Sequence, residues 1–203
     1  MTKIKFTQGE LKRQRDLLKQ YERFLPTLQL KKQQLQLELN NQILALETYQ
    51  SQRDQMTQEI IAWMGLPAES KIAMREIVIP RQVLMTSRNI AGVDIPVFDR
   101  VEFAPIEYDL FSTPLWLDRA TKLFMDYITL LFHVGALQQG AELLKRELLI
   151  TTQRVNLFEK IKIPETQENI RLIKIYIGDQ LAASIGRSKL VKRRTKVRFR
   201  KVA

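Results

Sequence analysis

The sequence contains no cysteine, and only one of its 203 residues is a histidine. The first absence excludes a disulfide framework and any metal site built on thiolates. The single histidine, His133, has no second imidazole or thiol with which to share a metal ion, so we predict a structural role for it. We therefore expect this chain to hold no metal and no cofactor.

Glycine and proline are also scarce, with seven of each. Both terminal thirds lack the dense turn signals of an all-β fold, which predicts long helices. No run reaches the roughly 18 apolar residues of a membrane span. The opening "MTKIKFTQGELKRQRDLL" lacks the apolar core of a secretory signal. We expect a cytoplasmic protein without direct membrane insertion.

Patterns that carry catalysis are missing as well. The segment "GRSK" at 186–189 is the nearest match to a phosphate-binding loop, but it lacks the upstream glycine and the preceding strand. The carboxylates Glu102, Glu107 and Asp109 have no pattern around them that predicts a pocket, so we interpret them as solvated loop charges. We expect no catalytic residue and no enzymatic activity in the chain itself.

The charge of the chain is concentrated at one end. The net charge is +11, and the segment "RSKLVKRRTKVRFRKVA" at 187–203 holds nine Lys or Arg and no acid. The first 186 residues are nearly balanced, with 24 basic and 22 acidic side chains. A cluster of this kind predicts an acidic partner but does not identify it.

A heptad repeat runs through residues 8–63, and twelve of its sixteen a and d positions are apolar. Such a two-in-seven stripe is typical of a coiled-coil seam. Pro26 lies within the run and predicts a kink, at a cost of about 3 kcal/mol. Gly65 and Pro67 predict the end of the helix. The seam positions are Leu11, Gln14, Leu18, Tyr21, Leu25, Leu28, Lys32, Leu35, Leu39, Gln42, Leu46, Tyr49, Arg53, Met56, Ile60 and Trp63.

A second seam follows Thr113 and Pro114, which suit a helix cap and first turn. Eleven of its twelve positions are apolar: Ala120, Leu123, Tyr127, Leu130, Val134, Leu137, Ala141, Leu144, Leu148, Thr151, Val155 and Phe158. Beyond Pro164 the same register passes through Leu172 and Tyr176, with Ile170, Ile173 and Ile177 beside it. Several later d positions are polar or small, so we expect the far end to pair only loosely.

The middle of the chain differs from both ends. Ala91 and Gly92 separate two extended segments, Val83–Ile90 and Val93–Phe103, which predicts a β-hairpin or an irregular pair of loops. The predicted fold class is all-α: a long antiparallel two-helix coiled coil, or helical hairpin, with this small region in the middle of the chain. We expect the small region at the far end of the helix pair, opposite the two chain termini. We divide one elongated domain into residues 1–65, 66–112 and 113–203.

Two charged residues interrupt the first seam, Lys32 and Arg53, both at a positions. One interpretation is selection of the helix register, a known role of a lone polar residue in a coiled coil. The other is that the seam is open there and faces another protein. The sequence favours neither.

Three stretches together resemble the D subunit of the A-/V-type rotary ATPases, across nearly the whole chain and in the same order. They are "FTQGELKRQRDLLKQYERFLPTLQLKKQQLQLEL", "NIAGVDIPVF" and "TTQRVNLFEKIKIP". Gln153 and Leu157-Phe158 depart from the family's pattern. The positions that match the second and third motifs are Asn89, Gly92, Val93, Pro96, Arg154, Val155, Asn156 and Pro164.

The resemblance implies a non-catalytic rotor shaft that transmits torque between ATP turnover and ion movement through a membrane ring. Its partners would be the A and B subunits of the head, the F subunit of the stalk and the membrane-side C/d subunit. The basic end would be a bearing tip inside the hexamer, with Arg193, Arg194, Lys196 and Arg198 on it.

Two other functions are consistent with parts of the sequence. A nucleic-acid-binding coiled-coil protein would use the basic tail to track phosphates, although Phe199 is its only aromatic residue. A scaffold or adaptor protein would keep the seams without the motor. Salt-dependent binding distinguishes the first, and the identity of copurified subunits distinguishes the second.

Overall fold

The computed structural model describes residues 5–63, 78–105, 114 and 116–202, and it describes only the backbone of residues 63 and 195–202. Helix α1 spans Gln8–Trp63, strand β1 Pro80–Ile90 and strand β2 Val93–Phe103. Helix α2 spans Leu117–Leu157, a π-helical turn Phe158–Lys162, and helix α3 Ile163–Val202. The predicted fold class, long helices around one small β-hairpin, is confirmed.

Helix α1 begins at a side-chain cap. The Thr7 hydroxyl accepts a hydrogen bond from the Glu10 N–H at 3.2 Å, which satisfies one of the free donors of the first turn. The helix then continues through Pro26 without a break. Pro26 is exposed and removes only one backbone donor. The predicted end at Gly65 and the predicted cap at Thr113 lie outside the described residues.

The chain forms two compact units, one of Met1–Leu30 with Thr152–Ala203 and the other of Lys31–Thr151. In the second unit α1 and α2 run antiparallel, because Lys31 pairs with Glu147 while Tyr49 stacks on His133. The Lys31 Nζ donates to Glu147 Oε1 at 2.9 Å, and both side chains are half-buried. Lys31, and not the seam residue Lys32, therefore makes this interhelical ion pair.

The β-hairpin belongs to this second unit and packs against its helices. Ile95 of β2, Leu35 of α1 and Leu144 of α2 are each 0% exposed and form one cluster. Around them pack the turn residues Ile90, Ala91 and Val93, with Leu39 and Leu148. The tip of the hairpin therefore lies beside Leu35 and Leu144, so the prediction that the hairpin stands at the far end of the helix pair is wrong.

In the first unit the two arms of the chain are also antiparallel. The rings of Tyr21 and Phe158 lie 5.3 Å apart, and those of Phe6 and Tyr176 lie 5.0 Å apart. Residue numbers therefore increase along α1 while those of the facing segment decrease, as in an antiparallel pair. The apolar seam of α1 faces this contact, with Leu11, Leu18, Leu25 and Leu28 all half-buried.

The prediction that the seam crosses Pro164 in an unchanged register is wrong. Leu172 and Tyr176 are 37% and 43% exposed, whereas Ile170 and Ile173 are buried. Thr166 is buried as well, so the buried positions after Pro164 are each displaced by one residue from the heptad. A π-helical turn has one residue more than an α-helical turn, and such a turn lies at Phe158–Lys162.

Pro164 provides a physical reason for this wide turn. Its ring would clash with the carbonyl of Lys160 in a regular α-helix, and it has no N–H to donate. In the π turn the N–H of Ile163 instead reaches back to the carbonyl of Phe158. The buried Thr166 hydroxyl donates to the Lys162 carbonyl at 2.6 Å and satisfies another acceptor. The inserted residue thus moves Ile170 and Ile173 onto the packed side.

Candidate functional site

The motif Asn89–Pro96 forms the tip of the hairpin. Ala91 and Gly92 have positive φ angles of 51° and 82°, as a tight two-residue turn between right-twisted strands requires. The Asn89 side chain holds the turn from both sides: its Oδ1 accepts from the Gly92 N–H at 3.1 Å, and its Nδ2 donates to Asp94 Oδ1 at 2.7 Å. Asn89 therefore has a geometric role in shaping the turn.

Replacing Asn89 by Ala is expected to lower the free energy of unfolding by about 1 kcal/mol, because two hydrogen bonds of the turn are lost. Chemical denaturation followed by circular dichroism measures the change. Ser87→Ala, at an exposed position of the same strand, is the matched control and should stay within about 0.5 kcal/mol of the wild type. Equal stability of the Asn89 and Ser87 variants would show that the side-chain bonds do not hold the turn.

Beneath the tip, a glycine of α2 allows the hairpin to approach the helices closely. A Cβ atom at Gly140 would lie 3.0 Å from Gln42 Oε1 and 3.7 Å from the Cβ of Ile95. Gly140 is buried, and the buried Gln42 Oε1 has no hydrogen-bond partner among the residues that the structure describes. The Gln42 side chain therefore packs directly against the backbone of α2 at Gly140, where no side chain intervenes.

His133 lies between two aromatic rings. Its imidazole stacks on Tyr49 of α1 at 4.1 Å between ring centroids and meets Phe98 of β2 at 5.4 Å. Partial burial lowers the pKa of the His133 imidazole below its usual value of 6.5, because the charged form loses solvation there. His133 therefore links α2 to α1 and to β2 through ring contacts.

The lowered pKa of His133 predicts a pH-dependent stability. The unfolded chain binds a proton at this group more readily than the folded chain, so the stability it contributes is lost as the pH falls through 6.5 towards the folded pKa. We expect the unfolding free energy to fall between about pH 7.5 and pH 5.5, and to fall less in His133→Gln. Denaturation curves at both pH values measure this difference, and identical pH dependence in the two proteins would contradict it.

The predicted motif after Thr151 lies in the other unit. Val155 is 5% exposed, whereas Arg154, Asn156 and Pro164 are exposed. Val155 therefore belongs to the packed face of the helix. Arg154 and Asn156 present polar groups outward, one turn before the π-helical turn.

The basic end of the chain is helical and exposed. Beyond the ring contact of Phe6 with Tyr176, every residue from 178 to 194 is exposed. Arg193 and Arg194 of the predicted tip are among them, whereas the side chains of Lys196 and Arg198 lie outside the described part. Apolar side chains accompany the basic ones, with Leu181 and Ile185 each 56% exposed and Leu190 60% exposed.

The predicted seam residues of the second unit differ in burial. Leu35 and Leu144 are fully buried, and Leu39, Leu46, Leu130, Leu137 and Leu148 are half-buried. Sequence reasoning did not single out Ile95 or Gly140. The available signals were an isoleucine three residues after the turn and a glycine inside a strongly helical segment, and neither specifies a contact by itself.

Within the described part of the chain, no group of three or more His, Asp or Glu side chains could hold a metal ion. Among the same residues, no helix combines the length and the apolar character needed to cross a bilayer. The described part of the chain consists of packed helices, a hydrogen-bonded turn and an exposed basic end.

Comparison with known proteins agrees with these features. The family model for the ATP synthase D subunit matches residues 10–193. The chain is 41% identical over 192 residues to the V-type ATP synthase D subunit of Borreliella burgdorferi, covering 95% of each chain. It is 32% identical to that of Chlamydia trachomatis over 197 residues, which cover 95% of this chain and 96% of the relative. The chain belongs to the family of ATP synthase D subunits.

Proposed function

We propose that this chain is the non-catalytic central rotor component of a V-type ATP synthase. In this function it transmits torque between ATP hydrolysis or synthesis in the head and ion transport, of protons or sodium, through the membrane ring. The observation that carries the proposal is the pairing of long helices along buried apolar seams in each unit, with a mostly polar outer surface. Such pairing resists bending and twisting because many side chains must separate together.

The partners in this proposal are the A and B subunits of the catalytic and regulatory hexamer, the F subunit of the stalk and the membrane-side C/d subunit. The complex would lie at the cytoplasmic surface of the membrane. The exposed basic end of α3 would face the hexamer, where a high density of positive charge favours loose attraction to acidic loops. A rotating element needs such weak, repeated contacts, since a single tight contact would stop it.

Reconstitution of the complex with and without this chain tests the proposal. Complexes containing the chain are expected to couple ATP hydrolysis to ion uptake into vesicles, whereas complexes lacking it should show no ATP-driven uptake. ATP-driven uptake at the full rate in vesicles that lack the chain would contradict the proposal.

Removing residues 190–203 is expected to reduce ATP-driven ion uptake while leaving the fold of the isolated chain intact. Residues 190–194 are exposed, so the free energy of unfolding should change by no more than about 0.5 kcal/mol. Thermal unfolding of the isolated chain and ion uptake by the reconstituted complex are the two measurements. A large loss of thermal stability would show that the segment packs against the rest of the fold.

A mobility-shift experiment at two salt concentrations distinguishes the rotor function from nucleic-acid binding. Tight binding of the isolated chain to RNA or DNA at physiological salt would favour that alternative. We expect only weak association that disappears between about 50 and 200 mM salt, as nonspecific attraction to a basic segment does.

A further inference from the structure

A groove of about 420 Å³ opens between α1 and α2 in the unit Lys31–Thr151. We call it the α1–α2 groove. Two rows of side chains line it, one from each helix. The α1 row is Tyr49, Gln52, Gln55, Met56 and Glu59, and the α2 row is Asp126, Thr129, Leu130 and His133.

The groove coincides with the second charged interruption of the α1 seam, Arg53. Arg53 lies at an a position, where a side chain would ordinarily reach towards the partner helix. Here its guanidinium turns instead to the adjacent Asp54, with Nη2 2.6 Å from Oδ1. Arg53 is not among the residues that line the groove, and the two helices leave an open space between them at this level.

The lining combines an apolar floor with a polar rim. Met56, Leu130 and Tyr49 are half-buried, whereas Glu59 and Asp126 are exposed. Neither carboxylate has an ion-pair partner among the residues that the structure describes. The groove therefore offers apolar contact in its middle and uncompensated negative charge on both sides.

We propose that the α1–α2 groove binds an amphipathic α-helix of a partner protein of the complex that carries Lys or Arg beside its apolar face. The apolar face would pack on Met56 and Leu130. Its cations would lie against Glu59 and Asp126, one on each side of the groove. This inference rests on the proposed function, because it assigns a surface of the rotor to another component of the same complex.

The spacing of the lining residues favours a helix over a small ligand. The α1 row spans eleven residues, which corresponds to about 15 Å at 1.5 Å per residue, or about three helical turns. Asp126, Thr129, Leu130 and His133 repeat at the intervals of one helix face. The two rows form one ridge on each side of the groove, and the side chains of a third helix fit between these ridges. Charge complementarity then selects a basic helix over an acidic one.

Site-specific photo-cross-linking in the purified complex tests the inference. A photoreactive residue at Gln55 is expected to cross-link to a peptide of another component with Lys or Arg next to a helical apolar stripe. Gln138 is exposed on α2 outside the groove and is the matched control, which should not capture that peptide. Capture of an acidic peptide, or cross-links at Gln55 only within this chain, would overturn the inference.

Charge removal provides the second measurement. The variant with Glu59→Gln and Asp126→Asn is expected to bind the captured protein roughly three- to tenfold more weakly, because two exposed ion pairs are lost. Glu47→Gln removes one exposed carboxylate of α1 that does not line the groove, and it should bind as the wild type does. Equal affinity of the groove variant and the Glu47 variant would overturn the inference.

The two proposals fail in distinguishable ways. If the complex assembles and couples ATP hydrolysis to ion uptake while Gln55 captures only this chain, the groove is not a docking site and the proposed function stands. If ATP-driven uptake proceeds in complexes without this chain, the proposed function fails, and the groove inference fails with it.

Discussion

Replacing Leu144 by Ala is expected to lower the free energy of unfolding by about 2–5 kcal/mol, because it opens a cavity where three elements meet. Leu144 is 0% exposed and packs with Leu35 and Ile95, which are also fully buried. For a chain of this length the loss corresponds to a melting temperature lower by about 5–15 °C. Thermal unfolding followed by circular dichroism at 222 nm measures the shift.

Leu149→Ala is the control for this variant, since it removes the same atoms from the same helix. Leu149 is 60% exposed, so its replacement should change the free energy of unfolding by no more than about 0.5 kcal/mol. Similar melting temperatures for the two variants would mean that the hairpin does not close a core against α1 and α2. The hairpin would then be an appendage of the helices.

Deletion of Lys160 together with Pro164→Ala is expected to leave the chain folded, although it removes one residue from the middle of a helical segment. The alanine is included because the regular turn left by the deletion would otherwise bring back the clash of the Pro164 ring. Lys160 is exposed and lies in the π-helical turn, which holds one residue more than a regular turn. Without this residue, the seven-residue repeat that ends at Phe158 continues unbroken through Ile163, Thr166, Ile170 and Ile173. These side chains therefore stay on the packed face of the helix. Helix content by circular dichroism should remain that of the wild type.

Deletion of Lys145 in the same Pro164→Ala background is the matched control and is expected to be severe. Lys145 is an exposed lysine too, but it lies in the regular helix α2 directly after Leu144. Removing it rotates the residues on one side by roughly 100° relative to those on the other, so Leu148, Thr151 and Val155 leave the packed face. We expect a loss of several kcal/mol and aggregation or low helix content. Equal tolerance of both deletions would contradict the π-helical register shift.

Heptad spacing predicts the packed face of α1 well because one periodicity holds over the whole helix. Every described a and d position of α1 is half-buried or buried, including the polar Gln14, Lys32 and Arg53. Burial in a coiled coil follows position on the helix face, so a polar side chain at an a position lies at the seam in spite of its chemistry.

The same reasoning fails at Pro164 because a heptad count assumes that every two turns hold seven residues. The proline was visible in the sequence, yet its effect on register depends on how the backbone avoids the clash with Lys160. A kink, a break and a π turn are all possible responses, and only the π turn inserts a residue. The apolar residues Ile170, Ile173 and Ile177 were the remaining signal, since they follow a helix spacing displaced by one from Leu172 and Tyr176.

The turn of the hairpin was predictable from local chemistry, whereas its packing was not. Gly92 has a positive φ, and the side chain of Asn89, three residues earlier, accepts a hydrogen bond from its N–H. Both features depend only on residues within the same four-residue segment. The burial of Ile95 against Leu35 and Leu144 joins residues more than 45 positions apart. No periodicity within one segment predicts which part of another segment it meets, and the open groove beside Arg53 was undetermined for the same reason.

Reversible cross-linking of this chain to the head tests the rotor proposal most directly. The chain has no native cysteine, so Arg187→Cys in the exposed part of α3 can be joined to a single cysteine in a catalytic subunit of the head, in an otherwise cysteine-free complex. The same complex without the cysteine in the catalytic subunit controls for oxidation, because Arg187→Cys then has no thiol to join. We predict that the joint to the head stops ATP hydrolysis and ion transport until a reductant is added, while oxidation of the control leaves both running. Undiminished turnover with the chain fully joined to the head would contradict it.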